Sequence, residues 1–185
     1  MKASRPQQVR LIGGTWRGSK LPVPDRAGLR PTPDRVRETL FNWLGQQLTG
    51  WRVLDAFAGS GALGFEAASR GATAVTLLEQ DAPSVAGLQA CAQRLGATPV
   101  AVQRADALAW MRRATPDSFE LVLLDPPFDA GLAAPALAAG APLVTPGGWL
   151  YLEAGSEHAA PAGFAAHRHL KAGAVHAHLF QRDRP

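Results

Sequence analysis

At 185 residues, with 46% hydrophobic and 18% charged residues, the chain is sized for one globular domain, which excludes a disordered or low-complexity protein. Its formal charge of +4 is unevenly spread: residues 1–37 hold nine Lys/Arg against two acids, and the remainder is slightly acidic. A basic arm on an acidic body predicts a polyanion as partner, with a solvated tail as the plainer reading.

No apolar run reaches the roughly 18 residues of a membrane span. The opening MKASRPQQVR is not followed by the apolar stretch of a secretory signal. The single cysteine, Cys91, has no internal disulfide partner. It reads as a packed thiol in a reducing, cytoplasmic setting.

The basic arm comes first. Residues 9–23 place paired glycines, Gly13 and Gly14, between short apolar runs, which predicts a β-hairpin. Arg10, Trp16, Arg17 and Lys20 lie on or beside this turn and are the candidate nucleic-acid contacts. Trp16 has two readings, a stacking surface for a base or a plug holding the hairpin to the rest of the chain. Prolines 22, 24, 31 and 33 then predict an extended connector. The domain boundary is placed here, with residues 1–30 as hairpin and linker and 31–185 as the main domain. Thr32 followed by Pro33 looks like an N-cap and first helical residue. The helix should run to about Leu48, with Val36, Leu40, Phe41, Trp43, Leu44 and Leu48 on its apolar stripe and Arg35 and Arg37 off it.

From Trp51 onward strands and helices alternate. Strands are expected at 51–56, 74–79, 99–103, 119–124 and 148–153, with helices at 62–70, 82–95, 106–114 and 130–139 between them. This is the pattern of an α/β fold, a doubly wound, mostly parallel sheet that binds ligands beyond the carboxyl ends of its strands. Residues 166–181 read as two further strands around Ala172-Gly173, an antiparallel terminal hairpin.

Two stretches carry chemistry. Gly59-Ser60-Gly61-Ala62-Leu63-Gly64 matches G-x-G-x-x-G between a strand and a helix, and Glu79 falls twenty residues on, where an acid takes ribose hydroxyls. A dinucleotide dehydrogenase shares those features. Asp55, four residues before the first glycine, opposes a pyrophosphate there but suits a cationic ligand such as S-adenosylmethionine, with its sulfonium and ammonium.

The second stretch is Asp125-Pro126-Pro127-Phe128, at the end of the fourth strand of the alternating series. The prolines stiffen the backbone. The Asp125 carboxylate and the carbonyl of Pro126 can then hold an exocyclic amine, and Phe128 offers a face for a flipped base. Asp106 is a further candidate, as an adenine contact or as a helix N-cap. On these residues an adenine-N6 nucleic-acid methyltransferase, a glutamine-N5 protein methyltransferase, a dehydrogenase and an inactive RNA-binding module all stay open.

GGTWRGSKLPVP (13–24), LRPTPDRVRETLFNWL (29–44), DAFAGSGALGFEAASRGA (55–72) and LLDPPF (123–128) together resemble the RsmD type of bacterial 16S rRNA (guanine-N2)-methyltransferase. The RPT-x-DRVRE block is the most specific of the four. The resemblance implies a class I, Rossmann-like methyltransferase fold and S-adenosylmethionine as donor. It also implies guanine 966 of the small-subunit rRNA as acceptor, a 30S particle as setting, and an N-terminal hairpin that helps hold the RNA. By position it implies Asp55, Phe57, Gly59, Gly61, Glu79 and Asp106 as cofactor residues. Arg30, Thr32 and Arg35 then resemble the segment folding over the methionine end, and Asp125, Pro126 and Phe128 hold the amine and base.

His167, His169, His176 and His178 form H-x-H…H-x-H. A two-residue turn at Ala172-Gly173 would pair His169 with His176 and His167 with His178, all on one face. That is a metal-capable geometry, but methyl transfer has no use for a metal, and none is expected.

Overall fold

The computed structural model describes residues 7–25 and 32–184. A short hairpin, β1 (Gln8–Arg10) and β2 (Lys20–Pro22), precedes helix α1 (Asp34–Trp43). The main sheet then alternates with helices: β3 (Arg52–Asp55), α2 (Ala62–Ser69), β4 (Ala74–Glu79), α3 (Ala82–Leu95), β5 (Val100–Arg104), α4 (Ala107–Met111), β6 (Phe119–Leu124), α5 (Ala133–Gly140) and β7 (Val144–Ala154). An antiparallel pair, β8 (Phe164–Ala172) and β9 (Val175–Arg182), closes the chain.

The seven-stranded sheet runs β5-β4-β3-β6-β7-β9-β8. Pairs up to β6–β7 are parallel, and β7–β9 and β8–β9 are antiparallel. Strand order reverses between β3 and β6, so the loops after these two central strands diverge and leave a crevice at their carboxyl ends. The middles of the central strands are apolar because both faces are covered: Val53, Leu77, Leu121 and Tyr151 face α1, α2 and α3, while Leu54, Leu78, Val122 and Leu150 face α4 and α5. Cys91 packs in the first of these cores. Among the described residues, no helix is long and apolar enough to cross a membrane.

The N-terminal hairpin exists, but its connection is longer than a paired-glycine turn. Arg10 pairs with Lys20, and residues 11–19 form the loop between them. Leu11 and Leu21 are fully buried in the main core, and Trp16 packs half-buried against it. Gly14 has φ +75°, and a Cβ there would stand 1.8 Å from the Ser69 carbonyl oxygen. The Trp16 side chain lies against the core, and its backbone N–H donates to Ser69 Oγ at 2.9 Å.

Helix α1 departs from expectation at both ends. Pro33 is the N-cap, with no side-chain capping bond, and Thr32 points elsewhere. The helix stops at Trp43 because Gly45 and Gln46 both take positive φ, 87° and 66°. Leu48 still reaches the core, from the following turn. Arg37, read as lying off the apolar stripe, is fully buried. Its guanidinium reaches Asp34 at 2.5 Å, the Arg10 carbonyl at 3.0 Å and Glu66 at 3.5 Å. Glu66 in turn accepts the N–H groups of Ile12 (2.9 Å) and Gly13 (2.8 Å) and Arg70 Nε (2.9 Å). One carboxylate on α2 thus ties the hairpin, α1 and the end of its own helix together.

Strand β7 begins four residues earlier than its apolar run, with an irregular register against β6 between Phe119 and Leu121. The terminal turn is Gly173-Ala174, because Gly173 takes φ +60° and Ala172 pairs with Val175. The one-residue move shifts every cross-strand partner: His169 faces His178, and His176 faces Lys171. His167 falls in a bulge and sits edge-on to Trp149.

Candidate active site

The crevice between β3 and β6 gathers both chemical stretches. Asp55 ends β3, and the chain turns through Gly59 (φ 53°) and Gly61 (φ 79°) into α2. Only glycine fits Gly61, where a Cβ would lie 2.6 Å from the Phe65 ring. At Gly64 a Cβ would strike Leu77 at 2.1 Å, so this glycine lets α2 pack tightly on the sheet. Asp55 Oδ2 accepts the Gly64 N–H at 2.9 Å, whereas Oδ1 is buried with no partner. Burial is the main cause lifting the Asp55 carboxyl to about 7, the nearby Glu79 and Glu153 adding to it. An orphaned carboxylate oxygen in a dry crevice is stabilised by a cation.

Glu79 ends β4, next to β3. It accepts the N–H of Gly59 at 3.2 Å and of Asp81 at 2.9 Å, so it braces the glycine loop. Asp106 accepts the Ala109 N–H at 2.7 Å and caps α4 from an exposed position at the end of β5. Phe57 is half-buried beside Asp55, and its N–H favours the Asp55 anion. A cavity of about 350 Å³ lies against the outer side of the loop, lined by Gly59, Ser60, Asp81, Leu88, Pro24 and Asp25 among others; it includes neither Asp125 nor Phe128.

On the opposite side of the crevice, Asp125 follows β6. Thr32 donates its hydroxyl to Asp125 Oδ2 at 3.3 Å, which explains why it does not cap α1. Enclosure, then the charges of Glu153 and Asp55, push the Asp125 carboxyl well above its ordinary range. Pro126 is buried, and Phe128 is 42% exposed, the one large hydrophobic side chain among the described residues so presented. Arg35 is exposed on the first turn of α1, away from these bonds, and Arg30 lies outside the described residues.

Sequence reading missed two groups. Glu153, near the end of β7, is 2% exposed and accepts the Tyr151 hydroxyl at 2.8 Å. Its signal was an acid closing an apolar strand next to the one carrying Asp125. Glu66 was the other, a lone acid in the otherwise small and apolar helix ALGFEAAS. A residue type that is almost never buried unpaired flags a partner.

On the hairpin, Arg10, Arg17 and Lys20 are exposed. Arg10 and Arg17 line a groove with Asp34 and Glu38, so their charge is partly offset on that side. Nitrogens of His169, His176 and His178 lie within 4.8 Å of one another. The three rings stack within 20° of parallel, and His178 Nε2 already accepts the His158 N–H at 3.0 Å. His169 Nε2 and His176 Nδ1 stand 3.1 Å apart, in hydrogen-bond contact with each other.

The family model described as Conserved hypothetical protein 95 matches residues 9–181. The chain is 43% identical, over 95% of its length and 91% of the relative's, to ribosomal RNA small subunit methyltransferase D of Escherichia coli (strain K12). A solved Escherichia coli structure described as a methyltransferase superposes with TM-score 0.86 at 41% identity, covering 97% of this chain and all of that one. A Haemophilus influenzae structure described as a methylase gives TM-score 0.81 at 34% identity, covering 96% of this chain and 100% of its own.

Proposed function

The chain belongs to the Conserved hypothetical protein 95 family, with methyltransferases as its relatives, and from that premise we propose that it methylates the exocyclic N2 amine of a guanine in 16S rRNA, guanine 966 by resemblance. The methyltransferase core spans residues 31–185, and the basic hairpin and linker of 1–30 steady the RNA. The proposed setting is a cytoplasmic monomer acting on 16S rRNA in an assembled or assembling 30S particle.

The observation carrying this reading is the pair of acids across the switch point. Asp55 offers an unpartnered buried oxygen on the glycine-loop side, and Asp125 faces it from the Asp-Pro-Pro-Phe side. The first fits a cationic donor and the second an amine acceptor. S-adenosylmethionine supplies, when bound, an electrophilic methyl group on a sulfonium. Asp55 would balance positive charge, with the Gly59–Gly61 backbone close against the ligand. Glu79 and Asp106, at the neighbouring strand ends, suit ribose hydroxyls and the adenine amine, and Thr32, Arg30 and Arg35 the methionine end. Asp125 and the Pro126 carbonyl would orient the guanine N2, whose lone pair is otherwise spread into the ring, and favour the charge growing on nitrogen. Phe128 would stack on the flipped base, worth about 1–3 kcal/mol.

The test is nucleoside mass mapping after incubating the protein with labelled S-adenosylmethionine and unmodified 30S particles. N2-methylguanosine at one position is expected. N6-methyladenosine, or label in protein, would replace the reading.

A further inference from the structure

We propose that His169, His176 and His178 form a binding site for one divalent transition-metal ion of the zinc class, on the terminal hairpin and apart from the reaction crevice. The expectation of no metal follows from methyl transfer, which needs none. This site serves the edge of the sheet instead, two and three strands out from β6, and is independent of the substrate reading above. Strands β8 and β9 are antiparallel, and His169 stands opposite His178. His176 lies two residues before His178 on β9, so the pleat turns all three side chains to one face. Leu152, the β7 partner of His178, and Phe180 share that face, the side covered by α4 and α5.

The spacing suits a shared ion. Ligand nitrogens of the three rings all lie within 4.8 Å of one another, and His169 Nε2 is 3.1 Å from His176 Nδ1. Two nitrogens on one tetrahedral Zn²⁺ stand roughly 3.3 Å apart, given Zn–N bonds of about 2.0–2.1 Å. One pair is therefore near that spacing already. Turning the exposed His169 and half-buried His176 rings closes the remaining distance to His178. Three imidazoles with an open fourth position are a recurrent zinc donor set. No other partner on this face competes for the rings: Lys171 pairs with His176, and no carboxylate among the described residues bonds any of the three. Charging the rings would crowd like charges there, so the neutral, metal-binding form is favoured.

His178 is the fixed corner of the site, only 2% exposed. Its Nδ1 is buried with no hydrogen-bond partner, on the inner side of the ring. The nitrogen on offer is Nε2, whose lone pair accepts the His158 backbone N–H at 3.0 Å. An ion at Nε2 displaces that N–H, which turns to water in the solvent-facing segment 155–159. Release of the His158 amide thus distinguishes this site from loose binding on surface histidines. The bound ion would pin β8, the outermost strand, to β9.

The test is calorimetric titration of Zn²⁺ into the full chain, chelator-treated and free of any histidine tag, with circular dichroism checking the fold of each variant. One ion per chain at micromolar affinity or tighter is expected. His169→Ala and His176→Ala should each weaken binding by at least about tenfold. His167→Ala should leave it within about threefold, because His167 sits in the bulge against Trp149. In ¹⁵N spectra, Zn²⁺ should shift the His158 amide and speed its hydrogen exchange in wild type and not in His169→Ala. Co²⁺ in place of Zn²⁺ should give the strong visible absorption of a four-coordinate site. Wild-type affinity in His169→Ala, millimolar uptake of several ions, or an unmoved His158 amide would mean an adventitious ion only and overturn the proposal. If His176→Ala does not fold, the exposed His169→Ala and the His158 amide decide the matter. None of these readouts involves methyl transfer, so the substrate reading stands or falls separately.

Discussion

Replacing Glu66 by alanine should be among the most damaging single substitutions in this chain, although Glu66 touches no proposed ligand. The carboxylate is fully buried and accepts from Ile12 N, Gly13 N and Arg70 Nε at 2.8–2.9 Å, with Arg37 at 3.5 Å. Truncation strands two backbone N–H groups, each at about 1–3 kcal/mol. It also leaves the Arg37 guanidinium with less counter-charge in the core. Breaking a buried ion pair costs about 3–5 kcal/mol, reduced here because Asp34 and the Arg10 carbonyl still hold Arg37. A net loss of about 4–6 kcal/mol follows, set against a usual total of roughly 5–15 kcal/mol. At this chain length that is a drop in Tm of about 10–20 °C. Urea unfolding followed by far-UV circular dichroism measures the loss, and hydrogen exchange at Ile12 and Gly13 should report local opening well below the global transition. Glu66→Gln, which keeps one acceptor, should lose about half as much. A loss below about 1 kcal/mol for Glu66→Ala would show that the hairpin is held by its apolar contacts alone.

Three further outcomes are expected. Asp125→Ala should abolish turnover while cofactor affinity by calorimetry changes little; retained activity would sink the amine-holding role. Arg17→Glu combined with Lys20→Glu should weaken binding to 30S particles in low salt, measured by sedimentation, and leave cofactor affinity unchanged, since both side chains are exposed on the hairpin. Losing both together would make the hairpin purely structural. For pH dependence, Asp55 holds its proton up to about 7 in the folded protein and to about 3.9 unfolded. The folded state therefore binds more protons across that window, and stability of the cofactor-free protein should fall as pH rises from about 4 to 7. Asp55→Asn should remove part of that slope and be more stable than wild type at pH 8 in urea titrations, while losing cofactor binding. A wild-type slope of the opposite sign would contradict the burial of this acid.

The alternating core was legible because its signals are local. Strands 74–79 and 119–124 and helix 82–95 follow directly from apolar runs and caps, and their bounds match the structure. The glycine loop and Asp-Pro-Pro-Phe were legible for the same reason, since each is a contiguous motif at a strand end. What escaped reading depends on contacts between distant segments. Thr32 carries every local mark of an N-cap, yet its hydroxyl bonds Asp125, 93 residues away. Arg37 falls off an apolar stripe, but the hairpin covers that side of α1 and buries it against Glu66. The terminal turn slipped by one residue because Ala-Gly and Gly-Ala are both acceptable pairs, and only the positive φ at Gly173 decides between them.

Helix α2 is eight residues long, about 12 Å from end to end. Its first turn emerges from the glycine loop, and its last turn receives the hairpin loop through Glu66 and Ser69. The two ends cannot drift apart, because Gly64 seats the helix against Leu77 with no room for even a methyl group. The helix therefore acts as a gauge block between glycine loop and basic arm. On the proposed reading, an RNA held by the arm would meet the crevice at one fixed offset, its reach along the substrate set by the length of a helix rather than by any flexible tether.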